Sequence, residues 1–255
     1  MSSPAPPPLV VGASITGASH TARDIGCQDS FAFRIREGVV VMAVCDGLGS
    51  ASLSGLAAER AAYLAVTEGE LEALDKEPLD LVVLMAEAAR AAIEVAAEDC
   101  DAGLSDLATT FIGCVLKDGV IATAHIGDGG VVASSGQSLV LVSPPEDAEY
   151  VNEVTPLSSE KWRDHLRVNS ADEVDSACLF TDGVQRAALI RKQGAWDPLT
   201  GFFTPLFSHV AEGGDAESLS SFLAGVRMSE VSDDDKTLLI ANLVQCNSSI
   251  EAAAV

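Results

Sequence analysis

The order of apolar patterns in this chain predicts an α+β domain, in which runs of strands and runs of helices follow one another. Three observations carry that expectation. Residues 9–45 hold β-like apolar runs, residues 52–103 switch to a helical period, and residues 107–143 return to short β-like runs punctuated by turn residues. At 255 residues the chain is long enough for one large domain with a sizeable core.

The elements follow in order. Residues 1–8, MSSPAPPP, read as a disordered Pro-rich leader, with neither the basic segment nor the long apolar one of a secretory signal. LVVGASITGASH, DSFAFRI and VVVMAVC then read as strands, with REG turning the chain between the last two. The third is apolar almost throughout, so both its faces should be covered. Over residues 52–68, Leu53, Leu56, Ala57, Leu64 and Ala65 recur at helical spacing, with Ser50 or Ser52 available as N-cap. A second helix should start at Pro78, suited to a first turn, and run to Gly103. LATTFIGCVL, GVIATAHIGD, GVVASS and SLVLVS, joined by KDG and SGQ, suggest an antiparallel meander. Residues 143–175 are polar and Pro-bearing, and read as a surface excursion able to cover a site. ACLFTDGVQ is a short buried strand, followed by helical segments near 183–193, 202–211 and 215–228 and a last strand in DDDKTLLIANLVQ. Residues 9–246 are therefore expected to form the one domain, with 247–255 a loose tail.

Composition narrows the function. Fifteen Lys and Arg against 38 Asp and Glu give a net charge of -23, which repels phosphate backbones and anionic lipid surfaces. Neither nucleic acid nor a membrane is an expected partner. Most of this charge reads as a solvated surface. The six cysteines lack any C-x-x-C pair, and several lie in apolar runs, which points to a reducing, cytoplasmic setting.

Four apolar runs carry Asp at one end: VCDG, HIGDGG, LFTDG and DDDKT. One Asp-Gly alone is an ordinary turn dipeptide. Four on the strands of one domain are different, because convergence of Asp46, Asp128, Asp182 and Asp234 would place like charges within a few ångströms and raise their pKa values. Bound Mg²⁺ or Mn²⁺ removes that conflict, since hard divalent ions prefer oxygen ligands, and Gly47 leaves a backbone carbonyl accessible. With four His and no zinc-type spacing, zinc is a poor alternative. A carboxylate bridging two such ions supports in-line attack of an activated water on a phosphoryl group.

CQDSFAF, VCDGLGS, IGDGG, FTDGV and DDKTLLI, in this order, resemble the motifs of the metal-dependent protein serine/threonine phosphatases, the PPM or type 2C family. The opening GASITGASHTARDIGCQDS and the stretch EYVNEVTPLSSEKW look more like a divergent bacterial-type branch. The resemblance implies a central antiparallel β-sandwich flanked by α-helices on both sides, and a phosphoprotein substrate. It also implies that Asp46 bridges two core Mn²⁺ or Mg²⁺ ions, with Gly47 adding its carbonyl. Asp182 and Asp234 would complete one ion, Asp29 would act on the second mainly through water, and Asp128 would help hold a third, weaker ion. D-D-K-T places the ligand at Asp234, with Asp235 as the alternative.

Three positions depart from the family pattern. The phosphate-holding Arg that often precedes the first acidic motif has Arg23 or His20 as counterpart. Leu48 stands where D-G-H-G enzymes have a proposed general acid, leaving metal-bound water or His20 to protonate the leaving group. GDGG keeps Asp128 but lacks the hydroxyl and Arg of G-D-S-R. These departures motivate a rival reading, a phosphatase-fold binding or regulatory module without turnover, and a further one, hydrolysis of small phosphate esters. His125, inside an apolar run, reads as a core histidine; His165 and His209 carry no motif, and Cys45 has no partner to make it a nucleophile. Trp162 and Trp196 could anchor a lid or a partner. Oligomeric state is not specified by any of these features.

Overall fold

The computed structural model describes residues 7–136, 138–146 and 154–243. Residues 1–6 of the expected leader, the expected tail, Cys246 and the middle of the 143–175 excursion lie outside the described residues.

The chain begins with β1 (Leu9–Ile15), a one-turn helix α1 (Ala18–Thr21) and the hairpin of β2 (Asp29–Arg36) and β3 (Val39–Asp46). The long helices α2 (Ser54–Glu72) and α3 (Pro78–Cys100) follow, then the hairpins of β4 (Phe111–Lys117) with β5 (Val120–Ile126) and β6 (Gly130–Ser135) with β7 (Ser138–Ser143). After α4 (Trp162–His165), β8 (Arg167–Ala171) and β9 (Ser176–Phe180) come α5 (Asp182–Ala188) and a small hairpin, β10 (Leu189–Lys192) and β11 (Ala195–Pro198). Helices α6 (Thr200–Ala211), α7 (Ala216–Leu223) and α8 (Val226–Val231) lead into β12 (Lys236–Asn242). The hairpin turns at Glu37–Gly38 and Asp118–Gly119 have positive φ at both residues, the twist that fits two-residue connections between strands.

Two five-stranded antiparallel sheets, ordered β1-β12-β9-β6-β7 and β2-β3-β4-β5-β8, face each other. Strand alternation sorts the core. Val40, Met42 and Val44 of β3 meet Val131, Leu179 and Leu239 of the opposite sheet, while Val41, Ala43 and Cys45 point outward to α2 and α3. The other outer face, with Phe180 and Ile240, packs against Phe203 and Val210 of α6 and Leu219 and Leu223 of α7. This is the flanked sandwich that the family resemblance implies. The buried side of α2 is mostly Ala, and a Cβ added at Gly69 would lie 2.6 Å from Val41 Cγ1, so small residues set how closely α2 approaches the sheet.

Several expected elements differ. The first strand stops at Ile15, because the chain turns at Gly17 and forms α1. The four meander strands are two hairpins in different sheets, since the chain crosses between layers after Ile126. Helix α2 starts from Leu53 with no side-chain cap; Ser52 donates its hydroxyl to Asp106 instead, at 3.3 Å. The segment 183–193 leaves the helix at Ala188 and continues as β10, and 215–228 divides at Gly225 into α7 and α8. The 143–175 segment contains α4 and β8, the latter an edge strand paired with β5. Among the described residues no helix is long and apolar enough to cross a membrane.

Candidate metal centre

Strand β3 ends at Asp46, directly opposite Asp29 at the start of β2. The Asp46 backbone is held by its neighbours: its N–H donates to Thr110 Oγ1 at 2.9 Å, and its carbonyl accepts from Thr109 Oγ1 at 2.9 Å and the Thr110 amide at 2.8 Å. The carboxylate takes no part in fixing the strand end by these bonds. A Cβ on Gly47 would sit 2.7 Å from the Ser54 carbonyl carbon, so close approach of the start of α2 demands glycine there.

Asp182 opens α5 directly after β9, and Gly183 beside it packs against the Asp235 carbonyl too closely for any side chain. Asp128 lies between Gly127, at φ 114°, and Gly129 in the crossover between sheets. Carboxylate oxygens of Asp46, Asp128 and Asp182 come within 4.8 Å of one another. Asp182 Oδ1 is buried with no hydrogen-bond partner.

The electrostatics follow from that crowding. Burial, followed by the charges of Asp29, Asp182, Asp128 and Asp234, holds the Asp46 carboxyl well above the usual range. Burial and the nearby charges of Asp128 and Asp234 push Asp182 up to about 7, against the opposing effect of its hydrogen bond with Asp46. Asp29 is also pushed to about 7, chiefly by burial, although its Oδ2 accepts hydrogen bonds from Thr181 Oγ1 and Thr237 Oγ1, each 2.8 Å. Asp128 is raised by burial and by Glu146.

The two aspartates of D-D-K-T have different surroundings. Asp235 is buried and accepts from the Gly17 amide at 2.7 Å, the Gln28 amide at 2.6 Å and His20 Nδ1 at 2.9 Å. Asp234 is exposed, and its charge acts on Asp46, Asp128 and Asp182. A His20 ring nitrogen and oxygens of Asp234 and Asp235 form a second group within 4.8 Å. Arg23 is exposed, and its Nε donates to Ser19 O at 3.0 Å. Leu48 donates its amide to Ala108 O at 3.0 Å.

Sequence reasoning did not find the hydroxyls that organise this site, Thr109, Thr110, Thr181 and Thr237. The last two lie inside the quoted motifs FTDGV and DDKTLLI, so their signal was adjacency to an aspartate. His125 is buried, with Nδ1 2.8 Å from Ser143 Oγ, and its pKa is lowered by burial, as a core histidine requires. Trp162 is a core residue carrying the Arg163 guanidinium 4.4 Å above its ring; Trp196 carries Arg191 at 4.5 Å. Cys45 is fully buried, and burial raises its thiol far above the range of a nucleophile.

Comparison with known proteins gives a consistent answer. The family described as Protein phosphatase 2C matches residues 16–224. Serine/threonine-protein phosphatase 3 of Escherichia coli (strain K12) is 32% identical over 251 residues, spanning 91% of this chain and 97% of that protein. Among solved structures, a bacterial serine phosphatase has a TM-score of 0.64 at 12% identity, covering 96% of this chain and 99% of the other. The Mycobacterium tuberculosis serine/threonine phosphatase PstP/Ppp has 0.64 at 14% identity, covering 93% and 99%. RsbX in complex with magnesium has 0.55 at 16% identity, covering 92% and 94%. These three likenesses concern the fold.

Proposed function

We propose that this chain, which belongs to the protein phosphatase 2C family and is a protein serine/threonine phosphatase, hydrolyses phosphoserine and phosphothreonine with a dinuclear Mn²⁺ or Mg²⁺ centre built on its clustered aspartates. The observation that carries this reading is the convergence of Asp46, Asp128 and Asp182 from three distant parts of the chain. Such a donor set fits a hard divalent ion. It is all oxygen, it includes the buried, unpartnered Asp182 Oδ1, and it is a like-charge group that a cation would stabilise.

In this reading Asp46, the Gly47 carbonyl, Asp182 and Asp234 would hold the two core ions, Asp46 as the ligand shared between them. Asp29 acts through water: Thr181 and Thr237 already occupy its Oδ2, which leaves Oδ1 to orient a solvent molecule. Asp128 would help hold a third, weaker ion. When bound, the two ions lower the pKa of a water and neutralise charge on the phosphoryl group. Arg23 or His20, beside and on the same one-turn helix, would hold the phosphoryl oxygens of the substrate. The substrate is a phosphoprotein, and the free thiols of Cys27, Cys45, Cys100, Cys114 and Cys178 support a cytoplasmic location.

Hydrolysis of p-nitrophenyl phosphate and of a phosphothreonine peptide, followed over a Mn²⁺ titration for the wild type, Asp46→Asn and Asp182→Asn, tests the reading. Metal-dependent turnover lost in both variants is expected. No turnover by the wild type at any metal concentration would sink it.

A further inference from the structure

We infer that Lys236 is a positioning residue of the centre: its amino group holds the Asp234 backbone so that the Asp234 carboxylate is presented toward Asp46 and Asp182. This inference rests on the metal-centre reading above and adds to it a group that touches no ion.

The argument begins with where the Lys236 side chain goes. Lys236 opens β12, and strand alternation puts it on the face opposite Thr237, whose hydroxyl donates to Asp29. It shares its own face with Leu238, part of the core packed against α6 and α7. Only 2% of Lys236 is exposed. Lysine is almost never buried to that degree without a partner. Among the described residues Nζ forms no ion pair, and its one hydrogen bond is donated to the Asp234 carbonyl at 2.8 Å.

That bond closes a frame around Asp234. The Asp234 amide donates to Ser232 Oγ at 3.2 Å, and its Oδ1 accepts from the Asp235 amide at 2.9 Å, which leaves Oδ2 for an ion. Gly17 packs against the Asp234 carbonyl carbon too closely for any side chain. The carbonyl oxygen is the remaining polar group of this residue's backbone, and Lys236 takes it. Water can satisfy a turn carbonyl, but a fixed donor also sets the direction of the peptide plane, and with it that of the carboxylate on the same Cα. The Lys236 stem reaches the other strand end as well: a Cβ on Gly183 would lie 3.2 Å from its Cγ. One side chain thus touches both the turn that carries Asp234 and the residue next to Asp182.

Losing a group that orients a metal ligand typically costs about 10–100-fold in metal affinity. Lys236→Met keeps an unbranched buried stem and removes the donor, so Mn²⁺ affinity should fall by about tenfold or more although every ligand atom remains.

The test is calorimetry of Mn²⁺ binding to the full chain as a double-mutant cycle of wild type, Lys236→Met, Asp234→Asn and the double variant. The expected result is the tenfold loss in Lys236→Met and no further loss when it is added to Asp234→Asn, because Lys236 acts through Asp234. Equal losses in both backgrounds would mean that Lys236 serves the fold alone, and overturn the inference, as would unchanged affinity in Lys236→Met. A second measurement needs no variant to fold. In ¹⁵N-lysine-labelled, EDTA-treated wild type, one lysine amino group should exchange slowly with solvent and couple across a hydrogen bond to a ¹³C-labelled Asp carbonyl; absence of such a group overturns the inference too. If turnover depends on Mn²⁺ and Asp46 but Lys236→Met binds Mn²⁺ as the wild type does, the metal-centre reading stands and the Lys236 assignment alone fails. If the wild type binds no Mn²⁺, both fail.

Discussion

Asp46 and its neighbours divide the work of stability and chemistry between backbone and side chain. Thr109 and Thr110 hold the Asp46 backbone, so its carboxylate is left to a cluster in which every neighbour carries the same charge. Without an ion this arrangement opposes folding. Asp182→Asn should therefore raise the melting temperature of the EDTA-treated protein by roughly 2–4 °C per kcal/mol of repulsion removed. The same variant should lower Mn²⁺-dependent turnover by about 10²–10³-fold, the range for losing one group that stabilises transition-state charge. Calorimetry beside a turnover assay reads both; parallel losses would mean that Asp182 serves the fold as an acceptor. The convergence of Asp46, Asp128 and Asp182 was legible in the sequence because each lies at the end of an apolar run. The choice between Asp234 and Asp235 was less so, since neighbours in a chain share every local signal. Their separation depends on Gly17, His20 and Gln28, which reach Asp235 from more than 200 positions away. Thr181 and Thr237 were hidden for the same reason: a hydroxyl has no periodicity, and their shared partner is Asp29.

At the scale of elements, the contact between the start of α5 and the approach to β12 sets the relation of Asp182 to Asp234. Gly183 lies against the Asp235 carbonyl, where an added methyl has no room and the obstacle is backbone. Gly183→Ala should cost about 1–3 kcal/mol, as overpacking does, and should weaken Mn²⁺ binding because both flanking aspartates move. Urea unfolding and metal-binding calorimetry test this; unchanged Mn²⁺ affinity would show that the two strand ends adjust independently. A second junction ties α3 to the segment before α4. Arg90 Nη1 donates to Leu157 O at 2.8 Å and Ser159 O at 3.1 Å, while the Leu157 amide donates to Thr109 O at 2.8 Å. Arg90→Met should cost about 1.5–3 kcal/mol, the range for hydrogen bonds to charged groups. Faster amide exchange at Leu157 would locate the loss. The hairpins and long helices were readable because E-G and D-G turns and an Ala-rich helical period are local signals. Strand β8, RVNSA, and the change from α5 to β10 were not, because a short polar edge strand draws its order from the partner it pairs with.

For the whole molecule, surface charge and buried charge predict different responses to pH and salt. The net charge of -23 is spread largely over exposed carboxylates whose repulsion is screened within a few ångströms at high salt. The buried aspartates are screened much less. Burial pushes the Asp29 and Asp182 carboxyls up to about 7 from the ordinary 3.8, so the folded, ion-free protein binds protons that the unfolded chain has released. Their contribution to stability is present below pH 3.8 and is lost as pH rises toward 7. The melting temperature of EDTA-treated protein should accordingly fall between about pH 4 and pH 7, and the fall should persist in about 1 M KCl, where the Debye length is about 3 Å. Saturating Mn²⁺ should flatten or reverse the slope, because ions replace protons at the same oxygens and bind more tightly as those protons leave. Asp46→Asn should shrink the slope in EDTA by removing the charge that faces Asp29 and Asp182. A slope abolished by salt would assign the effect to the surface. One that survives salt and yields to Mn²⁺ would locate it in the buried aspartates, making proton and metal competitors for one site.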